Sequence, residues 1–536
     1  MTALVTDKLP MLAAAPNGIN QLRALILDLA IRGKLVEQSV KDEPADALIE
    51  RISAVRLARE SSRNAKAKPN HPAEIFDAGP FGVPASWRWT NLATVAQINP
   101  RNAAADDLAV SFVPMASIRA KFDSGHTQEV RRWGEVKQGF THFAEGDIGV
   151  AKITPCFENS KACVFTSLSN GIGAGTTELH VVRPVFGTLA ARYVLAYLKS
   201  PWFLKVGETR MTGTAGQKRL PKDFVESHPF PLPPIAEQHR IVAKLDELMA
   251  LCDRLEAEQA DAEAAHAKLV EALLVSLTQA RDAADFRASW QQLSEHFHRL
   301  FTTDQSIDAL KQAVMHLAVT GKLDPPRPSQ DRLPNDSGHT QSVWQVKELD
   351  QLAVEIVDCP HSTPKWTLTG ELCVRTSQFR PRSLDLSDCK YVSGDTYKER
   401  TSRLVPIAGD ILYSREGGIL GVACRVPDGV RLCLGQRMML IRAGNQIAGE
   451  YLELVLNAPP ITNLARSSTT GGAAPRVNVS TVKKYPIPFP GLADQRHIVS
   501  KANELLAMCD QLKIDLNQAH QHHEHLASVL VEQAVA

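Results

Sequence analysis

No apolar run in this 536-residue chain approaches the roughly 20 residues that a helix needs to cross a bilayer, so no membrane span is expected. The nine cysteines include no C-x-x-C pair, which removes the commonest zinc and dithiol spacings and fits a chain kept reduced in the cytoplasm. The first twenty residues hold a single lysine, and Pro10 and Pro16 break the short apolar run that follows it, so no signal peptide is read. Catalytic signatures are missing too. Adenine methylation calls for a [DN]-P-P-[FYW] turn, whose polar group holds the flipped base while the aromatic stacks on it; the nearest match, Asp324-Pro325-Pro326-Arg327, has arginine in the aromatic's place. Gly213 to Lys218 has the wrong spacing for a phosphate-binding loop, and its lysine precedes Arg219 rather than Ser or Thr. His520, His522, His523 and His525 crowd around Glu524 without forming H-E-x-x-H; His523 reads as a seam position and the rest as solvated helix rather than as metal ligands. The expectation is a chain with no catalytic residue, no cofactor and no metal.

What the chain does have is repetition. Ile235 to Leu255 (IAEQHRIVAKLDELMALCDRL) returns 257 residues later as Leu492 to Leu512 (LADQRHIVSKANELLAMCDQL), with proline-spaced lead-ins PFPLPP and PIPFPG. The register aligns Pro229 with Pro486, Gln238 with Gln495 and Cys252 with Cys509. A second pair, Leu22 to Leu35 and Leu310 to Leu323, repeats at an offset of 288 and ends each time in Gly-Lys-Leu. Two copies this large make an internally pseudo-twofold molecule rather than a solenoid.

Each lead-in opens a long helix. Ile241, Leu245, Leu248, Cys252, Leu255, Ala262, Leu269 and Leu273 follow heptad steps, as do Ile498, Ala502, Leu505, Cys509, Leu512, Leu516, Ala519, His523, Leu526 and Leu530. The economical partner for each stripe is the other copy, which under an internal twofold runs antiparallel and makes a spacer of about 60 Å. Gly33 and Gly321 close the shorter 3.6-period stripes as helix C-caps. Pro44 to Arg63 reads as a further helix that the second half lacks. Cys252 and Cys509 are small seam residues rather than a disulfide pair.

Between the helices lie two inserts of short β-branched runs and Gly/Pro/Asn/Asp turns, each with one amphipathic helix, Ala190 to Leu198 and Glu450 to Leu456. They share Trp87 with Trp344, Gly146-Asp147-Ile148 with Gly409-Asp410-Ile411, and a late Gly/Thr-rich loop, TGTAGQKRL against TTGGAAPRV. Elsewhere they diverge. Charge separates the same way: residues 85–234 hold 17 basic against 12 acidic side chains, residues 343–491 hold 18 against 14, and the remainder is acidic. Two mildly basic modules on an acidic frame suit a polyanion. The fold class is α+β (mixed α/β), two globular modules separated by two long antiparallel coiled-coil helices. A protein-binding scaffold of two modules on a coiled-coil bar, without DNA, is the other reading.

The P-x-P-P-x-x-E-Q-x-x-I start of the spacer (Pro231 to Ile241), its Asp494-Gln495 counterpart, the G-K-L repeats, Pro84 to Trp89 (PASWRW) and the G-D-I strands resemble the specificity subunit of type I restriction-modification systems. Ser342-Val343-Trp344 keeps one tryptophan of the pair, and Gly491 stands where the first copy has Pro234. The resemblance implies an N-terminal helical region and linker (1–84), target recognition domain 1 (85–234), a central helical spacer (235–342), target recognition domain 2 (343–491) and a C-terminal spacer helix (492–536). It also implies that each recognition domain reads half of a split, asymmetric site in double-stranded DNA, that the helices set the gap and dock two methyltransferase subunits, and that restriction and translocase subunits join.

Small residues let a backbone approach phosphate, and Arg, Gln and Asn make the usual base-specific pairings. The DNA-binding candidates are Arg210, Thr212, Gly213, Thr214, Gln217, Lys218 and Arg219 in the first late loop, and Ser468, Thr469, Thr470, Gly471, Arg476 and Asn478 in the second. Lys152 and Thr154, and Ser414, Arg415 and Glu416, come after the G-D-I strands; Gln436 and Arg437 precede the next strand of the second insert. Arg101, Arg119, Lys121, Arg375, Gln378 and Arg380 are looser candidates.

Overall fold

The computed structural model describes residues 15–62, 74–122, 125–185, 187–214, 216–323, 344–470 and 475–535. Asp324-Pro325-Pro326-Arg327, Ser342, Val343 and Gly471 lie outside the described residues. The chain forms two compact units, Met1–Asp261 with Ala519–Ala536, and Ala262–Gln518.

In the first unit, α1 (Gly18–Ile31) buries Leu22, Leu25, Ile26 and Leu29, the expected 3.6-residue stripe. It stops at Gly33, whose φ of 68° is a left-handed cap, and the Lys34 N–H returns to the Leu29 carbonyl at 3.0 Å. A Cβ on Gly33 would also lie 2.5 Å from Pro84 Cδ and 3.1 Å from the Trp87 ring, so glycine is required there twice over. Gly321 repeats this with a φ of 73° and Trp344 at 3.2 Å. α2 spans Ala45–Ser62.

The first insert opens and closes on one ribbon. β1 (Arg88–Asn91) pairs antiparallel with β10 (Pro229–Leu232), which is the proline-spaced lead-in. An edge strand tolerates prolines two residues apart when the missing donors face away from its partner. Two four-stranded sheets lie between, built from β2 (Ala96–Ile98), β3 (Ala109–Val113), β4 (Glu129–Arg132), β5 (Thr141–Ala144), β6 (Ile148–Ala151), β7 (Ala162–Val164), β8 (Ile172–Gly175) and β9 (Leu179–Pro184). Their orders are β2-β9-β6-β7 and β4-β3-β8-β5, and β3 with β8 is the parallel pair. The G-D-I motif is the turn into β6. Gly146 supplies a φ of 82°; the buried Asp147 accepts the Ala144 N–H at 2.7 Å and holds Arg183 of β9, with Nη2 at 2.7 Å. Asp410 repeats the device with the Ile407 N–H and Arg442.

Where the sequence suggested one helix per insert, α3 (Ala191–Leu198) is followed directly by α4 (Pro201–Arg210). Ser200 caps the second helix, its Oγ accepting the Phe203 N–H, and Pro201 sits in the first turn, where no donor is needed.

α5 (Ile235–Thr278) carries Ile241, Leu245, Met249 and Cys252 into the first unit's core beside α1, with Leu248 and Leu255 half-buried against it. The heptad reading of its far half holds at Leu273, half-buried against the second unit's core, and is corrected elsewhere. Ala262 and Leu269 are exposed, and the buried positions are Val270, Leu274 and Leu277 in the second unit's core. The step from Cys252 to Val270 is five turns at 3.6 residues, so the buried face follows the straight-helix period and drifts off a 3.5-residue seam.

The second unit adds α6 (Ala283–Glu295), unforeseen from the sequence, and α7 (Asp304–Val319), the second Gly-Lys-Leu helix. Its insert repeats the first: β11 (Gln345–Glu348) pairs with β18 (Pro486–Phe489), 257 residues beyond β1 and β10. β12 (Ala353–Asp358), β13 (Glu371–Val374), β14 (Ile411–Ser414), β15 (Ala423–Arg425), β16 (Leu432–Leu434) and β17 (Met438–Ala443) give the order β12-β17-β14-β15 and a parallel β13/β16 pair. Then come α8 (Gly449–Asn457), α9 (Pro459–Ser467) and α10 (Leu492–Val535). α5 and α10 are both 44 residues long, with both ends in register at the same offset. In α10 Ile498, Ala502 and Cys509 are buried, while Leu505, Leu512 and Leu516 pack half-buried against the same core. Ala519, His523 and Leu526 are exposed, and Ala527, the counterpart of Val270, is buried.

Candidate nucleic-acid interface

The late Gly/Thr loop of the first insert is a closed hairpin. The Thr212 N–H donates to the Arg219 carbonyl at 3.0 Å and the Arg219 N–H to the Thr212 carbonyl at 2.8 Å. At its tip Gly213 adopts a φ of 126°, and a Cβ there would come within 2.9 Å of the Gln217 carbonyl oxygen. The hairpin is laced to the residues that leave β6. The Leu220 N–H donates to the Lys152 carbonyl (2.7 Å), the Thr154 N–H to the Lys218 carbonyl (3.0 Å), and the Lys218 N–H to Thr154 Oγ1 (3.1 Å). On the other side of Lys152, its own N–H donates to the Glu178 carbonyl at 3.0 Å. Three segments far apart in sequence thus form one surface.

The second insert builds the same surface. Thr470 and Arg476 exchange backbone bonds at 2.9 and 3.0 Å, the Val477 N–H reaches the Arg415 carbonyl (3.0 Å), the Gly417 N–H reaches the Pro475 carbonyl (3.0 Å), and the Arg415 N–H reaches the Arg437 carbonyl (3.1 Å). Matching bond for bond sets Lys152 against Arg415, Thr154 against Gly417, Lys218 against Pro475, Arg219 against Arg476 and Glu178 against Arg437. The backbone is repeated, the hairpin keeps its threonine and arginine (Thr212 with Thr470, Arg219 with Arg476), and the side chains at the other matched positions differ.

Arg210, Thr212, Gly213, Thr214, Gln217, Lys218 and Arg219 are exposed, as are Arg437, Thr470, Arg476 and Asn478. Lys152, Thr154, Glu416, Gln436, Ser468 and Thr469 are half-buried; Gln436 Nε2 donates to the His361 carbonyl at 2.6 Å. Two candidates are placed differently from expectation. Ser414 is fully buried, and Arg415 is 5% exposed, with its guanidinium in a two-pronged grip on Asp358 at 2.8 Å through Nε and Nη2. A buried, paired guanidinium is framework, so only the backbone of Arg415 contributes to the hairpin surface. The looser candidates mostly brace their own surroundings: Lys121 pairs with Glu256 of α5, Arg375 with Asp388 and Arg380 with Asp385, while Gln378 is buried; Arg119 is exposed.

Sequence reasoning missed Glu178. Its carboxylate takes Arg219 Nε at 2.9 Å and Nη2 at 2.8 Å, and that hydrogen bonding, ahead of the charges of Arg219 and Lys152, holds its pKa below the usual carboxylate value. The two copies fall out of the 257 register inside the inserts, so its match to Arg437 was hidden until the strands were paired.

Among the described residues no group of three or more His, Cys, Asp or Glu is placed to hold a metal ion, and no helix is long and apolar enough to cross a membrane. The cysteines at 252 and 509 are buried thiols.

Residues 87–264 match the family model described as type I restriction modification DNA specificity domain. Over 97% of this chain and 94% of the relative, the sequence is 38% identical to the type I restriction enzyme EcoEI specificity subunit of Escherichia coli. This chain belongs to the type I restriction-modification specificity subunits. The EcoAI specificity subunit of the same species is 35% identical over the same shares of the two chains. A solved chain from work on complex assembly and conformational transition of the type I R-M system aligns over 85% of this chain and 99% of its own, with a TM-score of 0.52 at 16% identity, and so has the same mixed helix-and-sheet fold. A specificity subunit is the non-catalytic, DNA-sequence-recognising part of such a system. Within this one, the paired hairpins are surfaces where common backbone carries unlike side chains at Thr154/Gly417, Lys218/Pro475 and Glu178/Arg437.

Proposed function

We propose that residues 85–234 and 343–491 are two target recognition domains, each reading one half of a bipartite, asymmetric site in double-stranded DNA through its hairpin surface. α5 and α10 lie antiparallel as a spacer that fixes the gap between the halves, and they dock two methyltransferase subunits. Restriction/translocase subunits join that core in the cytoplasm; methylation is the work of the methyltransferase subunits, and translocation and cleavage that of the restriction/translocase subunits. The observation that carries the reading is the hairpin surface built twice on the same backbone bonds, with Thr154, Lys218 and Glu178 of the first replaced by Gly417, Pro475 and Arg437 in the second. Equal helix lengths support the spacer: 44 residues at about 1.5 Å each make about 66 Å. So does the make-up of each compact unit, which holds the first part of one long helix and the last part of the other.

Binding of the specificity chain with its methyltransferase partner to DNA, measured at several salt concentrations, tests this. Binding weakens steeply with salt, and Lys218→Ala lowers the slope of log K against log salt by about 0.9 if that lysine neutralises a phosphate. Absent or salt-insensitive DNA binding would leave the protein-binding scaffold instead.

A further inference from the structure

The position just before β9 and β17 carries opposite charges in the two inserts. Lys152 bonds to the Glu178 carbonyl as Arg415 bonds to that of Arg437, and the adjoining strand pairs Ala151 with Leu179 as Ser414 pairs with Met438. Glu178 and Arg437 are therefore equivalent; Glu178 holds the hairpin arginine Arg219, and Arg437 lies beside Gly417, whose N–H bonds to the Pro475 carbonyl next to Arg476. In the first insert the result is a zwitterion, the Glu178 carboxylate on the Arg219 guanidinium. In the second, Arg437 has an Nη1 3.7 Å from where a Cβ on Gly417 would be, Gly417 being the counterpart of Thr154. Both Arg437 and Arg476 are exposed, and neither makes a side-chain ion pair among the described residues. That surface presents two guanidinium groups, and the carboxylate of Glu416, which is bridged to Arg476 through the backbone, pairs instead with Arg415 Nη1 at 3.1 Å.

These charges select different partners on DNA. A carboxylate on a DNA-facing surface is repelled by phosphates and gains only where it accepts from an exocyclic amino group, cytosine N4 or adenine N6. A guanidinium pair suits acceptor-only ground, the O6/N7 edge of guanine or a phosphate. We infer that Glu178 and Arg437 are specificity-determining residues: Glu178 takes a base amino group in the first half-site, and Arg437 with Arg476 takes a guanine edge in the second.

This rests on the reading of the hairpins as DNA contacts, and the experiment separates the two. The specificity chain assembled with its methyltransferase subunits is used to select fragments from a randomised DNA pool, which are then sequenced. Glu178→Gln and Glu178→Ala are expected to reduce discrimination at one base pair of the first half-site by about 10-fold, within the range of a single lost base contact, and to leave the second half-site as it was. Arg437→Ala is expected to do the converse at a guanine of the second half-site. Uniform weakening by Arg437→Ala across all sequences, with the salt slope reduced by about 1, would mean a phosphate contact and would overturn the guanine assignment. Unchanged preferences with Glu178→Ala, while Arg219→Ala loses the first half-site, would reduce Glu178 to a brace for Arg219 and overturn its assignment with the hairpin reading intact. If Arg219→Ala and Arg476→Ala also left both half-sites unchanged, the hairpin reading itself would fail. Glu178 and Arg437 pack into no core, and matching melting temperatures for the variants show that folding is preserved.

Discussion

Gln238 accepts the backbone N–H of Ala190 through its Oε1 at 2.8 Å, and Gln495 does the same for Ala448 at 2.8 Å. Each glutamine amide also donates to the proline-rich lead-in, to the Pro233 carbonyl at 3.0 Å or the Pro490 carbonyl at 2.8 Å. Both side chains are fully buried. The repeated Gln thus ties the start of a spacer helix to the residue that precedes α3 or α8, which is why it recurs in register. Gln238→Ala strands a buried donor and a buried acceptor at a cost of about 2–4 kcal/mol. Amide hydrogen exchange in α3 should accelerate to match, and Gln495→Ala should do this in α8. Exchange rates unmoved by either change would show that the bonds carry no such weight.

The two cap glycines make a graded pair. Gly33→Ala meets both a left-handed φ and overlap with Pro84, whereas Gly321→Ala meets the φ and a 3.2 Å approach to Trp344. Left-handed backbone alone costs an alanine about 1–2 kcal/mol. Thermal unfolding should show a larger fall for Gly33→Ala than for Gly321→Ala; the reverse order would contradict the packing described at Pro84 and Trp87.

Acid should loosen the first unit through His228. Burial among Trp202, Phe203 and Phe224, opposed by a hydrogen bond at Pro229 and reinforced by the charge of Arg210, brings its pKa down to about 4. Its Nδ1 is 2.9 Å from the Tyr197 hydroxyl. The unfolded imidazole titrates near 6.5, so between pH 6.5 and 4 the unfolded chain binds a proton that the folded chain refuses. The contribution is complete above pH 6.5 and falls by up to about 3 kcal/mol as pH drops to 4. His228→Asn should flatten the pH dependence of unfolding in that window by up to one proton, and parallel profiles for variant and parent would refute the assignment.

The duplicated architecture was legible because the residues that build it are local: glycine caps, proline-spaced edge strands and the glutamine that comes after them. What the sequence hid were matters of period and of pairing. A heptad template tracked α5 correctly to Cys252 and then named Leu269 where Val270 is buried, because 3.5 and 3.6 residues per turn diverge over five turns. α6 escaped notice because it has no counterpart in the first half to draw attention to it. Arg415 looked like a ligand for DNA until its partner Asp358, 57 residues upstream, stood on the neighbouring surface. Glu178 is the residue just before β9, and nothing in its local sequence marks it as sharing a surface with Arg219. A loop's composition marks it as a contact surface, but only strand pairing reveals which residues share it.

Deleting one heptad from each long helix tests whether α5 and α10 set the gap. Gln259 to Ala265 lies in the exposed middle of α5, and Leu516 to His522 is the corresponding stretch of α10, largely exposed apart from Leu516. Removing seven residues takes about 10 Å from each helix and turns its remaining C-terminal part by only about 20°, so the packed faces stay in phase. At 3.4 Å per base pair that is about three base pairs. Methylation-sensitive sequencing of DNA from cells carrying the parent or the doubly shortened chain, each with its partner subunits, would report both half-sites and the gap. The same two half-sites around a shorter gap are expected. Altered half-sites with the gap unchanged would rule out a spacer role for α5 and α10.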